Sequence, residues 1–298
     1  MIKSVCIVGC GWFGFPLAKA LVERGVKVCG SKRVQSESLL LKELGIDGFR
    51  LDLDNDAQLI QDKAEINEAL AADCLVINIP PGLRKDPQAY LQRLAKFKQL
   101  ITGHRYKKLI FVSTTGVYPQ SDQMLTEHDA SAHSEISDKL LQAEAMFQSL
   151  DNSVIVRFAG LVGPKRHPGR FLAGKTDLPN ASGAVNLVHL NDCILAISAL
   201  LFNETSNGIY NLCAPVHPTR QAFYTQAAID LGLSAPQFVD DGLITDNSAE
   251  GLITESSAEG SVNNVAQVSG KQISSGRICT ELNFEFQFND PMDMLLAC

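Results

Sequence analysis

Two short stretches of the chain carry residues whose types and spacing point to chemistry. The first is Val8-Gly9-Cys10-Gly11-Trp12-Phe13-Gly14, where glycines recur as GxGxxG between an apolar run, Ser4 to Val8, and a helical pattern. A turn of this kind between a strand and a helix binds a dinucleotide pyrophosphate. Gly9 permits the tight turn, Gly11 lets backbone N–H groups approach the anion, and Gly14 lets the helix pack close to the strand. Trp12 and Phe13 belong to the same loop and to the expected cofactor wall. The second stretch is Glu135-Ile136-Ser137-Asp138-Lys139, in which a carboxylate precedes an ammonium by four residues. On its own it is an ordinary charged surface helix, and its meaning depends on its surroundings.

The choice of dinucleotide is read where the second strand ends, about 20 residues on, at the place where an acidic residue would hold the ribose 2′-hydroxyl of NAD. The chain has Cys29-Gly30-Ser31-Lys32-Arg33 there. No carboxylate is present, and a hydroxyl with two cations suits a 2′-phosphate, Arg33 being able to make a planar bidentate contact. NADP is therefore favoured over NAD, with an exposed basic turn as the alternative. Asp52, after the third expected strand, is either an acceptor for the adenine amino group or a plain loop aspartate. Ile79, Pro80 and Ser113, at the ends of the fourth and fifth strands, complete the expected cofactor-binding set with Lys139.

These groups must be positioned by a sheet, and the first half of the chain has its rhythm. Short β-branched runs at Ser4 to Val8, Val26 to Cys29, Gly48 to Leu51, Cys74 to Ile79, Lys108 to Ser113 and Ser153 to Phe158 alternate with helical patterns. That alternation predicts βαβ units and a parallel sheet. The expected fold class is α/β, a doubly wound parallel Rossmann sheet with a second, smaller α+β C-terminal lobe. Residues 1–160 form the nucleotide-binding domain, with 186–207 returning to it. Residues 161–185 and 208–298, where GIYNLC reads as a further strand, form the substrate lobe. That lobe carries an acidic insertion at 239–260, containing the tandem GLITDNSAE and GLITESSAE.

Composition narrows the classes. With 298 residues, 45% hydrophobic and 20% charged, the chain has the make-up of a globular protein. No window supplies the roughly 18 uninterrupted apolar residues of a membrane span. The run IVGC mimics a lipoprotein cleavage box, but the apolar run before Cys10 is shorter than the roughly 7 to 15 residues of a signal core. Eight cysteines stand singly, at 6, 10, 29, 74, 193, 213, 279 and 298, as expected of reduced thiols in the cytoplasm. A net charge of -7 argues against a nucleic-acid partner. No metal-ligand spacing is present.

At Phe111-Val112-Ser113-Thr114-Thr115-Gly116-Val117-Tyr118-Pro119 the sequence begins to resemble the extended short-chain dehydrogenase/reductases, NAD(P)-dependent sugar-nucleotide epimerases and dehydratases. The resemblance continues in Val156-Arg157-Phe158-Ala159-Gly160-Leu161-Val162-Gly163-Pro164 and in Asn186-Leu187-Val188-His189-Leu190-Asn191-Asp192. It ends in Gly270-Lys271-Gln272-Ile273-Ser274-Ser275-Gly276-Arg277, similar to a segment of an atypical epimerase/dehydratase-like branch. Together these segments run from residue 111 to residue 277.

The resemblance implies that Thr114 hydrogen-bonds a substrate oxygen and that a Tyr-x-x-x-Lys pair opens the following helix. There Lys139 falls on the lysine, which holds ribose hydroxyls, but Glu135 falls on the tyrosine. A free carboxyl titrates at about 4.3 and a phenol near 10, so the exchange changes the chemistry. No Tyr-x-x-x-Lys occurs anywhere in the chain. The acid/base candidates are therefore Tyr118, Glu135, His128 and His133, with Thr114 and Lys139 beside them. Lys165-Arg166-His167-Pro168-Gly169-Arg170 is either a grip for a phosphate-bearing substrate or a basic surface loop.

The function implied is an NADP-dependent oxidoreductase or epimerase-like enzyme with a nonstandard active site. The alternative is a catalytically silent NADP-binding sensor or regulatory protein. The expected partner is a small molecule, phosphate-bearing or a sugar nucleotide, with neither nucleic acid nor membrane, and a homodimer is among the assemblies open to the chain.

Overall fold

A computed structural model describes residues 1–82, 86–239 and 268–298. The tandem repeat and nearly all of the acidic insertion lie outside the described residues. Seven parallel strands form one sheet: β1 (Ser4–Val8), β2 (Lys27–Lys32), β3 (Ile46–Arg50), β4 (Cys74–Ile77) and β5 (Lys108–Thr114), with two more after the short β6 (Met124–Leu125). These last two are β7 (Ser153–Phe158) and, after β8 (Gly160–Val162) and β9 (Leu187–His189), β10 (Gly208–Leu212). The final strand of the chain is β11 (Gln272–Ile273).

The sheet order is β10-β7-β5-β4-β1-β2-β3. The chain runs outward from β1 to β3, then starts again on the other side of β1 with β4. This reversal leaves a crevice beyond the carboxyl ends of β1 and β4, the place where open α/β sheets bind ligands.

The six expected strands are present, β1 and β7 with the expected bounds and the other four with shifted ends, and a seventh joins them. Gly208–Leu212, assigned from sequence to the second lobe, pairs instead with β7, from Gly208↔Val154 to Leu212↔Phe158. A parallel neighbour needs a crossover, which the apolar helix over Leu190–Phe202 provides. Strand β2 extends through Lys32, which pairs with Arg50 of β3, and Gly30 within it leaves room for the Cys10 thiol: a Cβ there would lie 2.6 Å from the sulfur.

The helices, in chain order, are α1 (Gly14–Glu23), α2 (Gln35–Leu41), α3 (Asp56–Gln61), α4 (Lys63–Leu70), α5 (Pro87–Leu100) and α6 (Glu135–Gln148). They are followed by α7 (Leu190–Phe202), α8 (Arg220–Asp230), α9 (Gly276–Leu282) and α10 (Pro291–Met294). Helix α6 starts where it does because Ser134 and Ser137 form a reciprocal capping box, each side chain accepting from the other's backbone N–H. One large apolar core follows the sheet. A second, smaller one gathers Val162, Val185, Phe223 and Met294 around β8, β9 and α8. Among the described residues no helix is long and apolar enough to cross a membrane.

Candidate functional site

A cavity of about 1310 Å³ runs along the carboxyl edge of the sheet. It passes from the ends of β2 and β3, across the turn after β1 and over Asn78 to Pro81, to the ends of β5 and β7. Pockets for drug-sized ligands span about 300–1,000 Å³, so this one suits a longer, extended molecule.

Its middle is the glycine turn. Gly9 has φ +100°, and a Cβ there would lie 2.2 Å from the Asn78 carbonyl oxygen; one on Gly14 would lie 2.3 Å from the Gly9 oxygen. Gly11 differs, since nothing lies within 4 Å of its Cβ position. Gly9 and Gly14 therefore shape the turn, and Gly11 keeps its open side clear. Asn78 fastens the turn to β4, its amide donating to the Gly9 oxygen at 3.0 Å. No side chain caps the N-terminus of α1. Ser31, expected to meet a phosphate, is buried; its hydroxyl accepts from the Gly9 N–H at 2.9 Å, tying the turn to β2.

Charge collects where β2 and β3 end. Arg33 Nη2 lies 3.3 Å from Asp52 Oδ1 and 3.0 Å from Asp54 Oδ2, and Arg93 Nε reaches Asp54 Oδ1 at 2.6 Å. The hydrogen bond from Arg93 holds the Asp54 carboxyl below the usual carboxylate range. Lys32 is 3.8 Å from Glu37.

Arg50 and Arg93 are cavity residues that the sequence reading missed. Arg50 is the last residue of β3 and stands in register with Lys32, so a strand-end argument would find it. Its Nε is buried with no hydrogen-bond partner. Arg93 comes from α5, 39 residues from Asp54, and no local pattern announces it.

The far end is lined by Val112, Ser113, Thr114, Leu140, Phe158, Ala159, Gly160 and Leu161. Thr114 is there as expected, its hydroxyl accepting from the Gly116 N–H at 3.3 Å. Ser113 donates to Glu144 at 2.5 Å, and Arg157 grips that carboxylate through Nε and Nη2 at 3.0 and 2.7 Å.

The acid/base candidates fare differently. Tyr118 is withdrawn: its side chain is 1% exposed, its hydroxyl donates to Asn211 at 2.5 Å and accepts from Arg157 at 2.7 Å, and burial pushes the phenol up to about 12. Glu135 opens α6 on its solvent side, and His128 and His133 are exposed; none lines the cavity. Lys139, 3.7 Å from Asp138, also stands outside the wall, where Leu140 takes the place. The structure instead brings in Tyr90 from α5, which is buried in the wall with no described residue hydrogen-bonded to its hydroxyl. Burial and the nearby Glu144 carboxylate raise its phenol above the ordinary range.

Of the basic segment 165–170, Arg166 alone lines the cavity, its guanidinium 5.1 Å from the centre of the Trp12 ring. His167 is spent locally, accepting from the Gly169 N–H at 3.0 Å. Among the described residues no group of three or more His, Cys, Asp or Glu side chains could hold a metal ion.

No family model matches the chain. It is 39% identical over 302 residues to Protein YeeZ of Escherichia coli K12, covering 99% of this chain and 100% of that protein, and equally so to Protein YeeZ of Escherichia coli O157:H7. Among solved structures, UDP-glucuronic acid 4-epimerase from Bacillus cereus, in complex with UDP-glucuronic acid and NAD, aligns with a TM-score of 0.70. The identity is 18%, over 99% of this chain and 97% of that one. MoeE5, in complex with UDP-glucose and NAD, aligns with a TM-score of 0.71 at 14% identity and the same coverage. At these identities the likeness is one of fold. The chain belongs to the same family as Protein YeeZ, and its fold is the one seen in UDP-glucuronic acid 4-epimerase and MoeE5.

Proposed function

We propose that the chain binds a nicotinamide dinucleotide and acts as an oxidoreductase or epimerase-like enzyme whose active site lacks the Tyr-x-x-x-Lys tyrosine. The observation that carries this reading is the single cavity joining three parts: a cation-rich strand end, an open glycine turn and the Ser113-Thr114 wall. The residues fit such a ligand. Gly11 leaves clear space over its backbone, and the first turn of α1, uncapped by any side chain, suits an anion.

NADP is the finer proposal. The residues that end β2 include no carboxylate, and Lys32, Arg33 and Arg50 line the cavity at that end, Arg50 with no carboxylate partner among the described residues, which supports a 2′-phosphate there. Both solved structures named above hold NAD, so the preference rests on this chain's own cations.

When bound, the nicotinamide would supply or accept a hydride. The protein's share at that end is to orient and to exclude water. Ser113, its proton committed to Glu144, offers lone pairs to a donor, Thr114 offers a hydroxyl, and Leu140, Phe158 and Leu161 keep the wall apolar. The substrate class that fits the fold is a sugar nucleotide or another small phosphate-bearing carbonyl or carbinol compound.

A second reading, a silent NADP sensor, is favoured by one observation. Among the described residues the one phenol in the wall is Tyr90, whose pKa burial and the nearby Glu144 carboxylate raise, making it harder to deprotonate. Titrations with NADPH and NADH test the cofactor, tighter NADPH being the expected result and equal affinity the refutation of NADP. Single-turnover oxidation of bound NADPH across sugar nucleotides and small carbonyls tests the enzyme, and silence across both panels favours the sensor.

A further inference from the structure

The cations of the cavity divide into two groups. Lys32, Arg33 and Arg93 each face a carboxylate, while Arg50 and Arg166 pair with none among the described residues. Arg50 sits at the strand end with Lys32; Arg166 sits at the glycine turn with Trp12. A ligand meeting both would carry negative charge at two separated places.

The loop that delivers Arg166 is built for that placement. Gly163, at φ +147°, passes so close to the turn that a Cβ would meet Leu190 at 3.0 Å and the Trp12 ring at 3.4 Å. Lys165 adopts the left-handed conformation at φ +63°, unusual for a residue other than glycine, and Arg166 N–H closes the turn on the Gly163 oxygen at 2.8 Å. Trp12 locks the loop from the other side: its indole N–H donates to the Pro164 oxygen at 2.9 Å while its face carries the guanidinium. An arginine on an aromatic face keeps its N–H edges available, and a planar guanidinium is matched to phosphate oxygens.

We infer that Arg166, held on the Trp12 indole, is the side chain that neutralises the pyrophosphate of the bound dinucleotide, adding a full charge to the dipoles of the glycine turn. Because the loop belongs to the segment that leads into the second lobe, the contact also couples that lobe to the cofactor. The inference rests on the nucleotide reading and is independent of the choice between NADP and NAD.

The test is calorimetric binding to the full chain of two fragments: ADP-ribose, which has the pyrophosphate but no 2′-phosphate, and 2′-AMP, which has the reverse. Arg166→Ala is expected to weaken ADP-ribose about tenfold, the loss of one charge-assisted contact, and to leave 2′-AMP within about twofold. The control is Lys165→Asn, which removes a neighbouring charge with a side chain that tolerates the left-handed backbone, and it is expected to leave ADP-ribose within about twofold. Unchanged ADP-ribose binding in Arg166→Ala overturns the inference, as does an equal loss in Lys165→Asn or an equal loss of both fragments. Wild-type chain that binds ADP-ribose but not 2′-AMP overturns NADP alone, with Arg166 still decided by the ADP-ribose arm. Wild-type chain that binds neither fragment overturns the nucleotide reading and the inference with it.

Discussion

Ser113 Oγ lies 2.5 Å from Glu144 Oε1, which places a buried carboxylate directly behind the wall of the cavity. Arg157 balances the charge and extends the network to Tyr118, whose hydroxyl reaches Asn211, whose amide in turn donates to the Ser274 oxygen. A hydrogen-bonded chain thus runs from the ligand wall to the C-terminal segment, through side chains shut off from water. Such an ion pair adds little net stability over an apolar substitute, but removing one partner leaves the other charged and buried.

Arg157→Ala is accordingly expected to destabilise the fold by about 3–5 kcal/mol. Tyr118→Phe, which deprives Asn211 and Arg157 of one partner each, is expected to lose about 1–3 kcal/mol. Urea denaturation reads both. Nucleotide affinity of Tyr118→Phe measured below its transition should match the wild type; a collapse in affinity with stability intact would return Tyr118 to the binding machinery.

The three glycines of the turn separate shape from ligand access. Gly9→Ala would press a methyl group to 2.2 Å from the Asn78 oxygen in a left-handed backbone, so a lower melting temperature and lost binding should come together. Gly11→Ala meets nothing within 4 Å and should melt like the wild type while binding ADP-ribose at least tenfold more weakly. Equal damage to both properties in Gly11→Ala would show that the position is structural.

The glycine turn and the alternating pattern were legible because both are local: periodicity and a fixed spacing decide them. The seventh strand was visible as a strand, but its partner was not, since Gly208–Leu212 pairs across more than forty residues with β7. At the site, the resemblance located Thr114 and the missing tyrosine, yet it could not show that Tyr118 turns inward to Arg157 or that Leu140 rather than Lys139 meets the cavity. Arg93 and Tyr90, three residues apart on one face of α5, both line the ligand space, and helix packing alone brings them there. Nothing in their neighbours' types encodes that.

Asp192 gives the fold a pH dependence of unusual sign. It is fully buried at the start of α7 and accepts from the backbone N–H groups of Gln287 and Phe288 at 2.6 and 3.3 Å; even so, burial pushes its carboxyl up to about 6. An unfolded aspartate titrates at about 3.9. Between those values the folded chain keeps a proton that the unfolded chain releases. The group's contribution is therefore full below about pH 4 and is lost as pH rises through about 6, on the order of 2–3 kcal/mol. Urea midpoints taken from pH 4.5 to 7.5 should fall across this window in the wild type and stay flat in Asp192→Asn. A wild-type midpoint that rises with pH, with the same rise in the variant, would show that Asp192 is ionised throughout.

Asp54 is the last determinant, because it competes for the cations that a 2′-phosphate needs. It occupies Arg33 and Arg93 at 3.0 and 2.6 Å, and a phosphate arriving at Arg33 must share or displace that carboxylate. Exposed pairs of this kind are worth about 0.2–1 kcal/mol each, which is up to about fivefold in affinity. Asp54→Asn keeps the shape and removes the competing charge, so NADPH should bind about two- to fivefold more tightly while NADH is unchanged. Arg33→Ala should do the reverse, weakening NADPH and sparing NADH. Should Asp54→Asn instead weaken NADH and leave NADPH alone, the carboxylate would be a ribose ligand, and the strand end would be built for NAD.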